Sequence, residues 1–192
     1  QHMKNTAKPV EYAAMRRASH RQWILKPQDL VVALKLHLLG TERVSFAVLG
    51  KELRLSPFEA HAATQRLIAA RLAAPLDGQV MPILPSLRSF LLNGAPFAYP
   101  AVRGEITVGM PTAHAAPPLN SLLVIGNELP PVWPDPEGTQ RGGSVMPLYP
   151  RVTEAARSDT RLYAMLALFD ALRVGQARER TLAIEHLEML LQ

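Results

Sequence analysis

The 28 residues from Ser45 to Leu72 constrain the fold more than any other part of this chain. Ser56 and Glu59 stand three apart, the spacing of a capping box. The serine oxygen accepts from the amide three residues on, and the glutamate reaches back to the serine amide. Pro57 suits the first helical position, where no donor is needed and its fixed φ already matches a helix. Apolar residues at Leu49, Leu53, Leu55, Ala60, Ala63, Leu67 and Leu72 have the spacing that two short helices need to close a three-helix core around a tight turn.

The flanks fit that reading. Pro27 opens a helix in which Leu30, Val31, Leu34, Leu38 and Leu39 keep the helical period, and Gly40 supplies the stop. After Leu72, Asp77-Gly78 signals a two-residue hairpin, because both turn positions need positive φ. A short β-hairpin, or wing, is expected there, without Lys or Arg at its tip. Residues 84–92 read as another helix with Arg88 exposed and Gly94 just past its end. Upstream, residues 9–24 read as a helix from Pro9 with Arg16, Arg17, His20 and Arg21 on a polar side.

The net charge of +5 is unevenly placed: Lys4, Lys8, Arg16, Arg17, Arg21 and Lys26 are opposed in the leader only by Glu11. A basic arm beside such a helix pair is the expected phosphate-contacting element. A solvated amphipathic leader is the plain alternative. A chain of 192 residues with 48% hydrophobic content has room for one large domain or two small ones. No apolar run reaches the roughly 18 residues of a membrane span, so no membrane association is expected. No signal-peptide pattern is expected at the start, where Gln1-His2-Met3 reads as an expression remnant. The absence of cysteine excludes disulfides, thiolate metal sites and cysteine nucleophiles, and fits a reducing cytoplasm.

Eleven of the 17 prolines lie between Ala95 and Pro150, among Phe97, Tyr99, Ile106, Val108, Val132, Trp133 and Tyr149. That apolar content argues for ordered short strands and turns rather than a linker. Asp135-Pro136-Glu137-Gly138 is expected to turn one strand into the next, with a short helix around Leu119–Val124. Two helices follow, about 153–174 and 176–191, separated by Gly175. Their apolar stripes (Leu162, Met165, Leu166, Phe169 and Leu172; Ala183, Ile184, Leu187 and Leu190 or Leu191) read first as core and second as candidates for a dimer seam. Asp170, Arg173, Arg178, Glu179 and Arg180 read first as a surface ion-pair cluster, with a docking site for another chain as the alternative.

On a helical wheel at 100° per residue, Ala60, Ala63, Thr64 and Leu67 cluster toward the other helices. Phe58, His61, Ala62, Gln65 and Ala69 face away, with Arg66 at the margin. With Ser56 at its start, this outer side is the candidate base-reading surface. Gln65 matches adenine N6 and N7, Phe58 a thymine methyl, and Arg66 a guanine or a phosphate. The same shape used as a protein-binding surface is the alternative. Positive potential around Gln65 and Arg66 would favour DNA; a neutral, apolar surface around Phe58 would favour a protein. No catalytic constellation emerges: there is no Walker loop, GxGxxG or GxSxG, and the histidines lack metal-ligand spacing. No enzyme activity, metal or cofactor is expected. His114, in the loop Pro111–Pro118, reads as a hydrogen-bonded structural imidazole, and Asp135 and Glu137 as turn formers.

Residues 28–82 resemble bacterial winged helix-turn-helix transcriptional regulators of the MarR-like kind. Leu49, Gly50, Leu53, Leu55 and Ser56, then Arg66, Leu67 and Leu72, carry the resemblance. Arg71 stands where the family usually has glycine, and the wing is short and uncharged. The resemblance implies a cytoplasmic homodimer that binds double-stranded DNA, with a C-terminal part that dimerises or senses an effector. An α+β chain is therefore expected. A basic leader (1–26) precedes a winged helix-turn-helix domain (27–94), and an α+β region (95–192) of short strands closed by two helices serves dimerisation, effector or partner binding. The expected function is sequence-preferring DNA binding as a bacterial transcriptional regulator, reading the major groove with helix 57–72. The alternative is a winged-helix protein-interaction module of the antitoxin or adaptor kind.

Overall fold

The computed structural model describes residues 23–123, 126 and 128–192. Trp23 and Ile24 form a turn and bend; the rest of the helix expected over 9–24 lies outside the described residues. Helix α1 runs Pro27–Leu39 and is buried on all sides, with Leu30, Val31, Val32, Ala33 and Leu34 inaccessible. It is a central helix rather than an amphipathic surface one. Asp29 closes its first turn by accepting the Lys26 N–H at 2.8 Å.

Helix α2 (Phe46–Leu53) starts at Ser45, whose hydroxyl oxygen accepts from the Val48 N–H. It ends at Arg54 in the left-handed region, φ 58°, and the Leu55 N–H then bonds the Gly50 carbonyl at 2.8 Å. A Cβ on Gly50 would lie 2.7 Å from the Leu55 carbonyl oxygen, so the turn tolerates only glycine there. Helix α3 (Pro57–Ala69) opens on the capping box: the Ser56 N–H reaches the Glu59 carboxylate at 2.8 Å, and the Glu59 N–H returns to Ser56 Oγ at 3.2 Å. These bonds hold the Glu59 carboxyl below its usual range. Strands β1 (Ala73–Leu76) and β2 (Gln79–Pro82) then pair antiparallel, with Leu76 opposite Gln79. Asp77 and Gly78 take φ of 49° and 78°, as a type I′ turn requires. Helix α4 (Leu84–Asn93) and the short α5 (Ala95–Ala98) follow.

Strands β3 (Arg103–Pro111), β4 (Pro131–Pro134) and β5 (Gln140–Val145) each pair with the other two. β3 is antiparallel to both and β4 parallel to β5, which closes a small barrel. In the 135–138 turn, the Asp135 carboxylate accepts the Glu137 N–H at 2.9 Å and pairs with Arg157. Leu119–Ser121 forms a single 3-10 turn where a helix to Val124 was expected; Val124 itself lies outside the described residues.

Three helices complete the chain: α6 (Val152–Ser158), α7 (Thr160–Val174) and α8 (Ala177–Leu190). The single helix expected over 153–174 is split because Asp159 leaves the helical region. Its carboxylate then caps α7, accepting the Arg161 and Leu162 N–H groups at 3.1 and 3.0 Å. Helix α7 is buried all round by Leu162, Met165, Leu166, Ala167, Leu168, Phe169 and Ala171. Its stripe is intramolecular core and not a dimer seam. On α8, Ala183 and Leu187 are buried while Ile184 and Met189 are exposed.

One continuous buried cluster joins α1 and α3 to α7 and α8. Lys35 of α1 reaches both Glu52 and Asp159 at 2.8 Å. Tyr149 donates its hydroxyl to the Leu53 carbonyl at 2.6 Å. Asp170, read as part of a surface cluster, is in fact buried. It accepts the Thr112 hydroxyl at 2.7 Å, the Trp133 indole N–H at 2.6 Å and the Arg173 guanidinium at 3.0 Å. Burying a carboxylate requires such a full set of donors, and this one ties β3 and β4 to α7. Arg178 and Arg180 stay exposed. The fold is mixed α+β, with eight α-helices and small sheets among the described residues.

Candidate nucleic-acid interface

Helix α3 lies at the surface with one side in the core. Ala60, Ala63, Thr64 and Leu67 are fully buried, where the wheel puts them, and the Thr64 hydroxyl donates to the His61 carbonyl at 2.7 Å. On the outer side Phe58 is 78% exposed, His61 and Ala69 are exposed, and Ala62 and Gln65 are half-buried. Ser56 is exposed too, but its hydroxyl donates to Glu59 at 2.7 Å.

Arg66 is not on that surface. Only 6% exposed, it turns inward so that Nε and Nη2 donate to the two carboxylate oxygens of Asp29 at 2.7 and 2.6 Å. A wheel leaves a marginal side chain free to go either way. Here the fully buried Asp29 decides, because an interior carboxylate without a partner costs several kcal/mol, and a guanidinium satisfies both oxygens at once. These hydrogen bonds hold the Arg66 guanidinium above its ordinary pKa. Burial pushes the nearby Tyr99 phenol up to about 12. Arg66 is thereby corrected from a reader of bases or phosphates to a pin between α3 and the start of α1.

The surroundings of the outer side come partly from distant sequence. Phe46, at the start of α2, meets His61 edge-on with ring centroids 4.9 Å apart, and Val48 beside it is exposed. Arg43, three residues before Phe46, donates from Nη2 to the Asp77 carbonyl at 3.3 Å. The hairpin turn, which has no cation of its own, thus gains one from the loop between α1 and α2. Its only sequence signal was an isolated arginine just ahead of a helix cap. Lys51, near the end of α2, and Arg71, just beyond α3, are exposed, while Arg54 leans on Glu154 at 3.5 Å.

Arg16, Arg17 and Arg21 lie outside the described residues. Six of the 21 Lys and Arg residues but only one of the 16 Asp and Glu precede Pro27, so the chain from there onward is formally neutral. The outer side of α3 therefore presents an aromatic ring, an imidazole, an amide and small apolar groups, with its cations at the edges.

His114, expected to be hydrogen-bonded, buries Nδ1 3.2 Å from the Glu179 carboxylate, 65 residues away, but without hydrogen-bond geometry, so that nitrogen has no hydrogen-bond partner among the described residues. Among the described residues, no three metal-ligating side chains converge, and no helix is long and apolar enough to cross a membrane. Compared with known proteins, the chain matches no family model, no curated protein and no solved structure.

Proposed function

We propose that the chain binds duplex DNA as a bacterial transcriptional regulator, with α1–α3 and the β1–β2 hairpin acting as a winged helix-turn-helix. The observation that carries this function is the capped helix α3 with its outer side exposed, joined through Phe46 to the loop that sets Arg43 at the hairpin turn. The 13 residues of α3 make a rod about 20 Å long, which fits a major groove. In that pose Phe58, Ala62 and Gln65 meet base edges. Arg43, Lys51 and Arg71 supply phosphate contacts at the flanks, and the leader adds sequence-independent attraction. A homodimer belongs to the proposal, since one short helix spans few base pairs and a second copy doubles the contacts. With α7 in the core, the exposed Ile184 and Met189 of α8 are what is left of the expected seam.

Fluorescence anisotropy of a labelled genomic duplex pool, titrated at several salt concentrations, tests the proposal. Binding should weaken linearly on a log–log plot, and Arg43→Ala should reduce the slope by about one. No binding to any duplex at low salt would overturn it. With Arg66 buried, the neutral, apolar surface of Phe46, Val48 and Phe58 meets the criterion set above for a protein partner, and favours a second function, a protein-interaction module. It predicts that Arg43→Ala leaves partner binding unchanged.

A further inference from the structure

Building on the DNA-binding proposal above, we infer that α3 selects A·T base pairs through the methyl groups of thymine. Guanine is read in the major groove chiefly by Arg or Lys, and cytosine by a carboxylate. The only guanidinium of α3 is spent internally, its two nitrogens bonded to Asp29 at 2.7 and 2.6 Å. Releasing it would strand a buried carboxylate. The only carboxylate of α3, Glu59, is taken by the N–H and hydroxyl of Ser56 at 2.8 and 2.7 Å. Both G·C-directed chemistries are thus satisfied within the fold.

Gln65 is left, with an amide that matches adenine N6 and N7, beside the apolar surfaces of Phe58 and Ala62, which match the thymine C5-methyl. These three residues stand at i, i+4 and i+7, on one side of the helix. They span about 10 Å at 1.5 Å per residue, or roughly three base pairs at 3.4 Å each. Phe46, packed edge-on against His61, extends the apolar strip toward α2. A short A·T core read by methyl contact and one bidentate amide is the site this surface fits.

The test begins with selection of tight-binding duplexes from a random-sequence pool by the full chain. An A·T core of three or four pairs is expected. The selected duplex is then remade with uracil replacing the core thymines, which removes the methyl and keeps the pairing. Affinity should fall about fourfold per contacted methyl, while uracil outside the core has no effect. Phe58→Ala, at a side chain 78% exposed, should leave the fold intact and remove most of the thymine–uracil difference. A G·C core, equal affinity of the parent chain for both duplexes, or full discrimination by Phe58→Ala would overturn the inference and leave DNA binding standing. Failure to enrich any duplex would overturn DNA binding itself.

Discussion

Replacing Arg66 with alanine should cost the folded state about 3–5 kcal/mol, the range for removing one partner from a buried ion pair. Asp29 is fully buried and would keep only the Lys26 N–H among its present donors, losing both guanidinium bonds. Domains of this size carry about 5–15 kcal/mol in total, so the variant would retain a marginal fold. Urea is the denaturant of choice because it leaves ion pairs unscreened. With a slope of about 2 kcal/mol per molar, the midpoint should fall by about 2 M. The double variant Asp29→Leu with Arg66→Met should recover most of that loss, since a packed apolar pair often matches a buried ionic one. The departure of that double variant from the sum of the singles Asp29→Leu and Arg66→Met then measures the coupling. A midpoint for Arg66→Ala within about 0.25 M of the parent, roughly 0.5 kcal/mol, would refute the buried pair. Joined to a loss of DNA binding, it would return Arg66 to the surface as a reader.

Leu67→Ala should cost about 2–5 kcal/mol by opening a cavity between α1, α2 and α3, while Gln65→Ala should stay within about 0.5 kcal/mol on the same urea curves. Asp159→Asn should blunt the acid sensitivity of the fold. Burial raises that carboxyl, but Lys35 and the N–H groups of Leu162 and Arg161 more than offset it and hold it below the ordinary carboxylate range. A carboxyl depressed in this way stabilises the fold above its unfolded pKa, near 3.8, and the benefit disappears as pH falls through the folded value. Stability against pH should therefore flatten below about pH 4 in the variant; an unchanged profile would count against the pair. Tyr149→Phe leaves the Leu53 carbonyl without its donor and should cost about 1–2 kcal/mol by thermal or urea melting.

Features written in neighbouring residues were legible before the structure. Ser56 and Glu59 are three apart, Asp77 and Gly78 adjacent, and the buried side of α3 follows from its wheel. Each depends on backbone geometry that a few residues determine. What was not legible depends on partners far along the chain. Asp29 lies 37 residues from Arg66, Arg43 lies 34 from Asp77, and Asp170 collects donors from Thr112, just past β3, and Trp133 on β4. The break at Asp159 lies between these cases. An aspartate inside an apolar-periodic run is compatible with a continuous exposed turn, and Lys35 from α1 fixes it as a cap instead. Arg66 shows the consequence for function. Its residue type and position on the wheel suit base reading, and only the buried carboxylate opposite removes it from the surface.

Nitrogen-15 NMR of the full chain titrated with a selected duplex tests most directly whether α3 and the hairpin meet DNA. Amide shifts should change at residues 41–48, 56–65 and 76–79, the loop, helix and turn that share the proposed surface, and stay fixed along the buried α7. Saturating duplex that leaves 56–65 unmoved, or that perturbs only β3–β5 and α8, would contradict the proposed interface.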